Sequence, residues 1–111
     1  MKDRLDAFFA AEILPRHRQW AACVGRRERP PFLPMLQEKA RAAGLWNLGL
    51  ADRLSNRDYA PLAEIMGRLP WAPEVFNCQA PDVPNMIMLQ HAATPAQRQR
   101  WLEPLLEGRV R

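Results

Sequence analysis

Apolar positions recur along the chain at three- and four-residue intervals, and prolines break the pattern into segments. Leu5, Phe8, Phe9, Ile13 and Trp20 form a helical stripe, predicting a first helix from Asp3 to about Val24. Pro15 falls inside it. Without an N–H, and with a ring that crowds the preceding turn, it must kink or divide the helix. Gly25 is a stop signal, and Arg26 to Pro31 reads as a basic, proline-ended linker. Phe32 to Ala43 is a second helix, with Leu36, Ala40 and Ala43 on one face. Gly44 fits the left-handed position that closes it.

The stretch Leu45 to Asn56 is apolar but aperiodic, so it is expected to be a loop that packs. Ser55 and Asp58 have the spacing of a capping-box variant, opening a third helix with Leu62, Ile65, Met66 and Leu69 buried. Pro61 is early enough to be tolerated, and Pro70 ends the segment. Pro73, Pro81 and Pro84 then punctuate two helical pieces. Ala72 to Gln79 reads as a short helix. Pro84 opens the next, and its consecutive Met86, Ile87, Met88 and Leu89 point all round the axis, predicting a central helix buried on every side. Thr94, Pro95 and Gln97 carry a second capping signal. The last helix runs from Pro95 to about Glu107, with Trp101, Leu102, Leu105 and Leu106 inward and Gly108 closing it; Pro104 interrupts it and is a signal for an early end. No segment alternates with period two. The expectation is an all-α bundle of five or six helices.

At 111 residues the chain is expected to form a single α-helical domain. No apolar run approaches the roughly 20 residues of a membrane span. The start, MKDRLDAFF, lacks the apolar core of a secretory signal. Cys23 and Cys78 make no disulfide framework, so reduced thiols and a cytoplasmic location are expected. The net charge of +4 rests on arginine; only Lys2 and Lys39 are lysines. Nucleic acid is not the expected partner. Only Arg26, Arg27 and Arg29 cluster, and elsewhere arginines alternate with acidic residues as on solvated helix faces.

Little catalytic chemistry is visible. There is no glycine-rich phosphate loop, nucleophile elbow or zinc-protease helix. His17, Cys23, Cys78 and His91 are scattered singly, without metal-ligand pairing. Cys78 as a nucleophile would need a base and a lowered pKa; a buried structural thiol is the simpler reading. Of two candidate bases, Glu64 and Glu74, Glu64 lies on a helix flank and is expected to be exposed. Asn77, Cys78, Gln79 and Asp82 stand beside the apolar stretch. They suit either one wall of a ligand pocket or a helix break satisfied by local hydrogen bonds.

Three segments carry a resemblance. ARAAGLWNL at Ala40 to Leu48, LSNRDYAPLAEIMGRLPWAPEVFNCQAPDVPNM at Leu54 to Met86, and TPAQRQRWLEPLLEGRVR at Thr94 to Arg111 resemble the acyl-CoA dehydrogenase superfamily. They look most like its branch with long-chain or hydroxylated acyl-CoA substrates. The resemblance implies the N-terminal helical domain of a flavoenzyme. In the family a β-domain and a second helical domain follow, hold FAD and supply the glutamate that takes the α-proton. The sequence ends at Arg111 before such parts, so the chain alone is expected to bind no FAD and to dehydrogenate nothing. Acyl-CoA would be its substrate only in the full enzyme. By position, the resemblance assigns Phe76, Cys78, Gln79 and Val83 to the wall of the acyl pocket.

One departure stands out: only Gly49 to Arg53 joins the LWNL segment to the LSN helix start, where family members usually have a longer loop. The face that would cover a β-domain is expected to be exposed and apolar, favouring a homo-oligomer. The alternative to a flavoenzyme domain is a stand-alone helical interaction module that kept the domain and lost the chemistry.

Overall fold

The computed structural model describes residues 1–50 and 52–110. Ala51 of the Gly49–Arg53 loop and Arg111 lie outside the described residues. Helix α1 (Lys2–Phe8) passes through a π turn (Phe9–Ile13) and a 3-10 turn (Leu14–Arg16) into α2 (His17–Gly25). Then come α3 (Leu33–Ala42), α4 (Asn56–Met66), α5 (Ala72–Val75) and α6 (Asp82–Ala92). The last helical path is α7 (Pro95–Gln97), a π turn (Arg98–Leu102) and α8 (Glu103–Leu106). Counting each continuous path once gives six helices, and no strand occurs among the described residues. None of these helices is long and apolar enough to cross a membrane.

Prolines inside the long helices explain their irregularity. Pro15 and Pro104 each follow a π turn that ends two residues earlier, at Ile13 and at Leu102. A π turn inserts one extra residue, which makes room for a ring that would crowd an α turn. The Leu14 N–H reaches back to the Phe9 carbonyl, and the Glu103 N–H to the Arg98 carbonyl. The helical axis therefore continues through both prolines instead of breaking. Pro61 sits inside α4 without such a turn.

The caps follow the sequence signals. Ser55 Oγ accepts the Asp58 N–H at 3.2 Å and donates to the Asp58 carboxylate at 2.6 Å. Thr94 and Gln97 form a reciprocal capping box. Each such cap contributes about 1 kcal/mol.

Two apolar clusters form the interior. The larger joins Leu5, Phe9 and Ile13 to Leu36 and Ala40 of α3, Leu62 and Ile65 of α4, and Val75 and Phe76 at α5. The smaller joins Leu50, Met86, Leu102 and Leu105. Full burial of one such side chain is worth about 1.5–3 kcal/mol.

Four expectations need correction. Helix α6 begins at Asp82 rather than Pro84, and it is not buried all round. Met86 faces inward, but Met88 is 58 % exposed. The helix packs on the smaller cluster with one side, and its other side opens on a depression shared with the last helical path. Trp101, on the π turn, is likewise 51 % exposed, at the depression that Leu105 also lines. Helix α5 is four residues long, since Asn77 takes a left-handed conformation (φ 53°) and stops the coil before Gln79. Helix α2 stops at Gly25, as the sequence signal predicts, and Arg27 two residues on takes the left-handed conformation.

The C-terminal end of α8 is closed by side chains from distant segments. Asn77 Nδ2 donates to the Leu105 carbonyl at 2.9 Å and to Asn47 Oδ1 at 2.7 Å. Asn47 Nδ2 and Trp46 Nε1 both donate to the Leu106 carbonyl, at 2.9 and 2.8 Å. Arg41 donates to the Glu107 carbonyl at 2.7 Å, with its guanidinium 3.9 Å from the centre of the Trp46 ring. Gly108 follows in the left-handed region, and a Cβ there would come within 2.7 Å of Trp46.

Asn77→Ala removes both buried donor contacts and puts alanine in a left-handed turn. A loss of roughly 2–4 kcal/mol in urea unfolding is expected. A loss below about 0.5 kcal/mol, ordinary for a surface change, would show that Asn77 does not hold the clasp.

Candidate functional site

The turn between α5 and α6 carries most of the polar residues that adjoin the interior. Its backbone is set by Asn77, whose side chain is 4 % exposed and bonded to residues 28 and 30 positions away. The break is thus satisfied largely by tertiary partners. Gln79 provides the local part: its Nε2 donates to the Asp82 carboxylate, and Asp82 is buried.

The four residues assigned to an acyl wall do not share one surface. Phe76 is fully buried, with its ring edge-on to Phe8 at 5.6 Å. Its carbonyl accepts the Asn47 N–H at 3.0 Å and the Cys78 thiol at 3.3 Å. Cys78 and Val83 are half-buried and approach the same backbone, Leu48 to Gly49. Gln79 turns the other way and lines a polar cleft.

Around Gly49 the structure gathers a group that spacing could not reveal. A Cβ on Gly49 would lie 3.2 Å from the Tyr59 hydroxyl and 3.6 Å from Val83 Cγ1. Tyr59, the chain's one tyrosine, also contacts the Cys78 thiol. Four segments therefore meet: the loop after α3, helix α4, the turn after α5 and helix α6. Burial pushes the Cys78 thiol up from its ordinary range; hydrogen bonds from Gly49, Leu48 and Tyr59 oppose this without overcoming it. Burial likewise pushes the Tyr59 phenol well up, and the neighbouring thiol adds to the shift. Both groups are therefore held neutral. This is the environment of a structural thiol, not of a nucleophile.

Two surface depressions lie elsewhere on the molecule, and Gly49, Tyr59, Cys78 and Val83 line neither. The polar cleft, of about 690 Å³, has Arg29, Arg41 and Arg109 on its rim and Gln37 and Gln79 within. Gln79 Oε1 is buried there without a hydrogen-bond partner. The second depression, of about 490 Å³, is apolar and lies between α6 and the last helical path. Met88, Leu89, Trp101, Leu105 and Val110 line it, with Asn85 and Arg100 at its edge.

The remaining candidates are placed as follows. Glu64 is exposed on α4, and Glu74 pairs with Arg29 at 3.2 Å. Among the described residues, no group of three or more His, Cys, Asp or Glu could hold a metal ion. In the Arg26–Arg29 cluster, Arg26 pairs with Glu28 at 2.9 Å.

Held-neutral groups make stability fall at high pH. The unfolded chain releases the thiol proton near pH 9.0 and the phenol proton near 10.0, whereas the fold resists both ionisations. Their contribution is complete below those values and is lost as pH rises through them. Tyr59→Phe is therefore expected to flatten the fall in melting temperature above about pH 9. An unchanged alkaline slope would show that the phenol is not held by the fold.

A family model described as "Acyl-CoA dehydrogenase, N-terminal domain" matches residues 1–109. "Acyl-CoA dehydrogenase family member 11" of Gallus gallus is 53% identical over 87 residues, covering 77% of this chain and 11% of that protein. The Homo sapiens protein of the same name is 46% identical over 112 residues, covering 93% of this chain and 14% of its own length. A solved structure described as an acyl-CoA dehydrogenase from Mycobacterium abscessus superposes with a TM-score of 0.89 at 45% sequence identity. That match covers 99% of this chain and 31% of the other. The chain thus spans well under a third of the length of the curated relatives named.

Proposed function

Because the chain belongs to the acyl-CoA dehydrogenase family, matching its N-terminal domain over residues 1–109, we propose that it supplies the helical acyl-side domain of a flavin-dependent dehydrogenase of acyl-CoA thioesters. The observation that carries this reading is the near-complete superposition on a solved family member at 45% identity. In the whole protein the reaction would be the α,β-dehydrogenation of an acyl-CoA, within fatty acid metabolism and in the cytoplasm. The chemistry belongs to parts other than residues 1–111.

On this reading FAD is held by other parts of the whole protein. The arginines that could meet its pyrophosphate in the polar cleft are already engaged: Arg29 with Glu74, Arg41 with Glu38 and the Glu107 carbonyl, and Arg109 with Glu107.

What this chain would contribute is shape. Cys78 and Val83, backed by Tyr59 and Gly49, form a neutral surface that would accept the apolar part of an acyl chain. Gln79 would border that surface from the polar cleft, and Phe76 would hold it from beneath. A hydrocarbon tail gains about 0.8 kcal/mol for each methylene buried on such a wall. The wall would thus set chain length and not the rate of proton removal.

The test uses a complete family enzyme carrying this domain. Val83→Trp is expected to shift its preference toward shorter acyl chains, and Gln79→Leu to change the same preference. The 111-residue chain with acyl-CoA and FAD is expected to give no turnover. Unchanged preference in both variants would remove the wall assignment. Turnover by the chain alone would overturn the division of labour.

The apolar depression between α6 and the last helical path supports a second element of the reading, self-association. Met88 and Trp101 are more than half exposed there, and Val110 is 45 % exposed. Light scattering of the chain is expected to give a dimer or larger species, and Trp101→Glu to shift it toward monomer. A monodisperse monomer over a wide concentration range would refute this.

A further inference from the structure

The least explained polar contact in the interior joins α2 to the start of α5. Trp71 is 3 % exposed, and its indole Nε1–H donates to His17 Nδ1 at 3.2 Å. An indole N–H can only donate, so His17 Nδ1 must be unprotonated, with the ring proton on Nε2. The same imidazole stacks on Trp20, with centroids 5.9 Å apart and planes 14° from parallel. Trp20 in turn stacks on Trp71 at 6.2 Å, and Phe32 meets Trp71 edge-on at 5.6 Å. His17 is therefore one rung of an aromatic ladder and also its hydrogen-bond acceptor.

We propose that His17 is a pH-sensitive strut, which ties α2 to Trp71 when neutral and releases it when protonated. A second ring proton turns Nδ1 into a donor facing another donor. The bond to Trp71 is then lost, and the buried indole N–H is left without that acceptor. The new imidazolium gains attraction from the face of Trp20. Protonation thus transfers the ring's best partner from α5 to α2, within one stack. Trp71 immediately precedes α5, so the change is delivered to the start of that helix.

Charged groups on the surrounding elements are paired among themselves. Glu12 of the π turn holds Arg16 at 3.1 Å and Lys39 of α3 at 2.7 Å. Arg68, before Trp71, pairs with Asp6 of α1 at 2.9 Å. Glu74 of α5 holds Arg29, and Glu28 of the linker holds Arg26. Arg18 of α2 is exposed. None of the ion pairs among the described residues includes His17. The Lys39 hydrogen bond holds Glu12 below its ordinary range. Carboxylates ordinarily change charge near pH 4, below the window in which an imidazole does.

The test is indole NMR of the 111-residue chain from about pH 8 to about pH 5.5, the range of imidazole titration. The Trp71 indole signal is expected to move as the pH falls, and its exchange with solvent to accelerate roughly five- to tenfold, the factor one net hydrogen bond represents. Trp46, bonded to the Leu106 carbonyl, serves as the reference that stays in place. His17→Gln keeps an acceptor that does not titrate, so Trp71 is expected to stop responding to pH. His17→Phe keeps the stack without the acceptor, so Trp71 is expected to sit in its released position at every pH. A Trp71 signal that does not move in the unmodified chain would overturn the proposal. So would one that moves equally in His17→Gln, because the only other histidine is His91. Should His17→Phe fail to fold, the comparison of the unmodified chain with His17→Gln still decides.

Discussion

The end of α8 has to find donors for its last carbonyls, and most of the architecture follows from where they come from. A helix terminus leaves up to four C=O groups without intrahelical partners. Here the Gly108 and Arg109 N–H groups return to the Leu105 and Pro104 carbonyls, Asn47, Trp46 and Arg41 serve those of Leu106 and Glu107, and Asn77 adds a second donor to Leu105. Two asparagines in left-handed conformations make this possible, because that backbone lets a short amide side chain turn inward. The same contacts seat the smaller apolar cluster against the larger one. Gly108 is required beside them, since Trp46 and Arg41 occupy the space a side chain would need.

The clasp also locates the group that the family relation makes relevant. Phe76, Asn77 and Cys78 are consecutive, and each faces a different way: into the larger core, onto α8, and toward Gly49 and Tyr59. Fixing the asparagine therefore fixes the thiol. Burial holds both the thiol and the neighbouring phenol neutral, which leaves them few polar demands. The charged cleft on the far side of Gln79 is internally compensated, arginine by glutamate.

Local signals in the sequence located the caps and the first helix well, because those depend on near neighbours. Ser55–Asp58 and Thr94–Gln97 act within one turn, and Leu5, Phe9 and Ile13 share a face by periodicity alone. The packed loop at Leu45, Leu48 and Leu50 was legible from its apolar content. Met88 and Trp101 were misplaced because apolar character does not say how fully a neighbouring element will cover a residue; both are left half open at one depression. The π turns were foreshadowed by Pro15 only as a kink; their form depends on a one-residue insertion that no propensity encodes. Tyr59 and Gly49 left no signal toward Cys78, since the contact spans three elements. The resemblance supplied Cys78 and Val83, which meet at Gly49, together with Phe76 and Gln79, which point elsewhere.

The clasp at α8 has a temporal side as well. Its contacts join residues 28 to 66 positions apart, whereas helical turns close over four. Contacts of that range can be assembled only after the elements they join are present, so loop closure precedes any reward from them. Interactions completed late in folding act on the lifetime of the finished structure more than on the speed of reaching it. The asparagine pair is therefore less a nucleus than a latch, and its strength is a measure of how long the helices, once gathered, stay together.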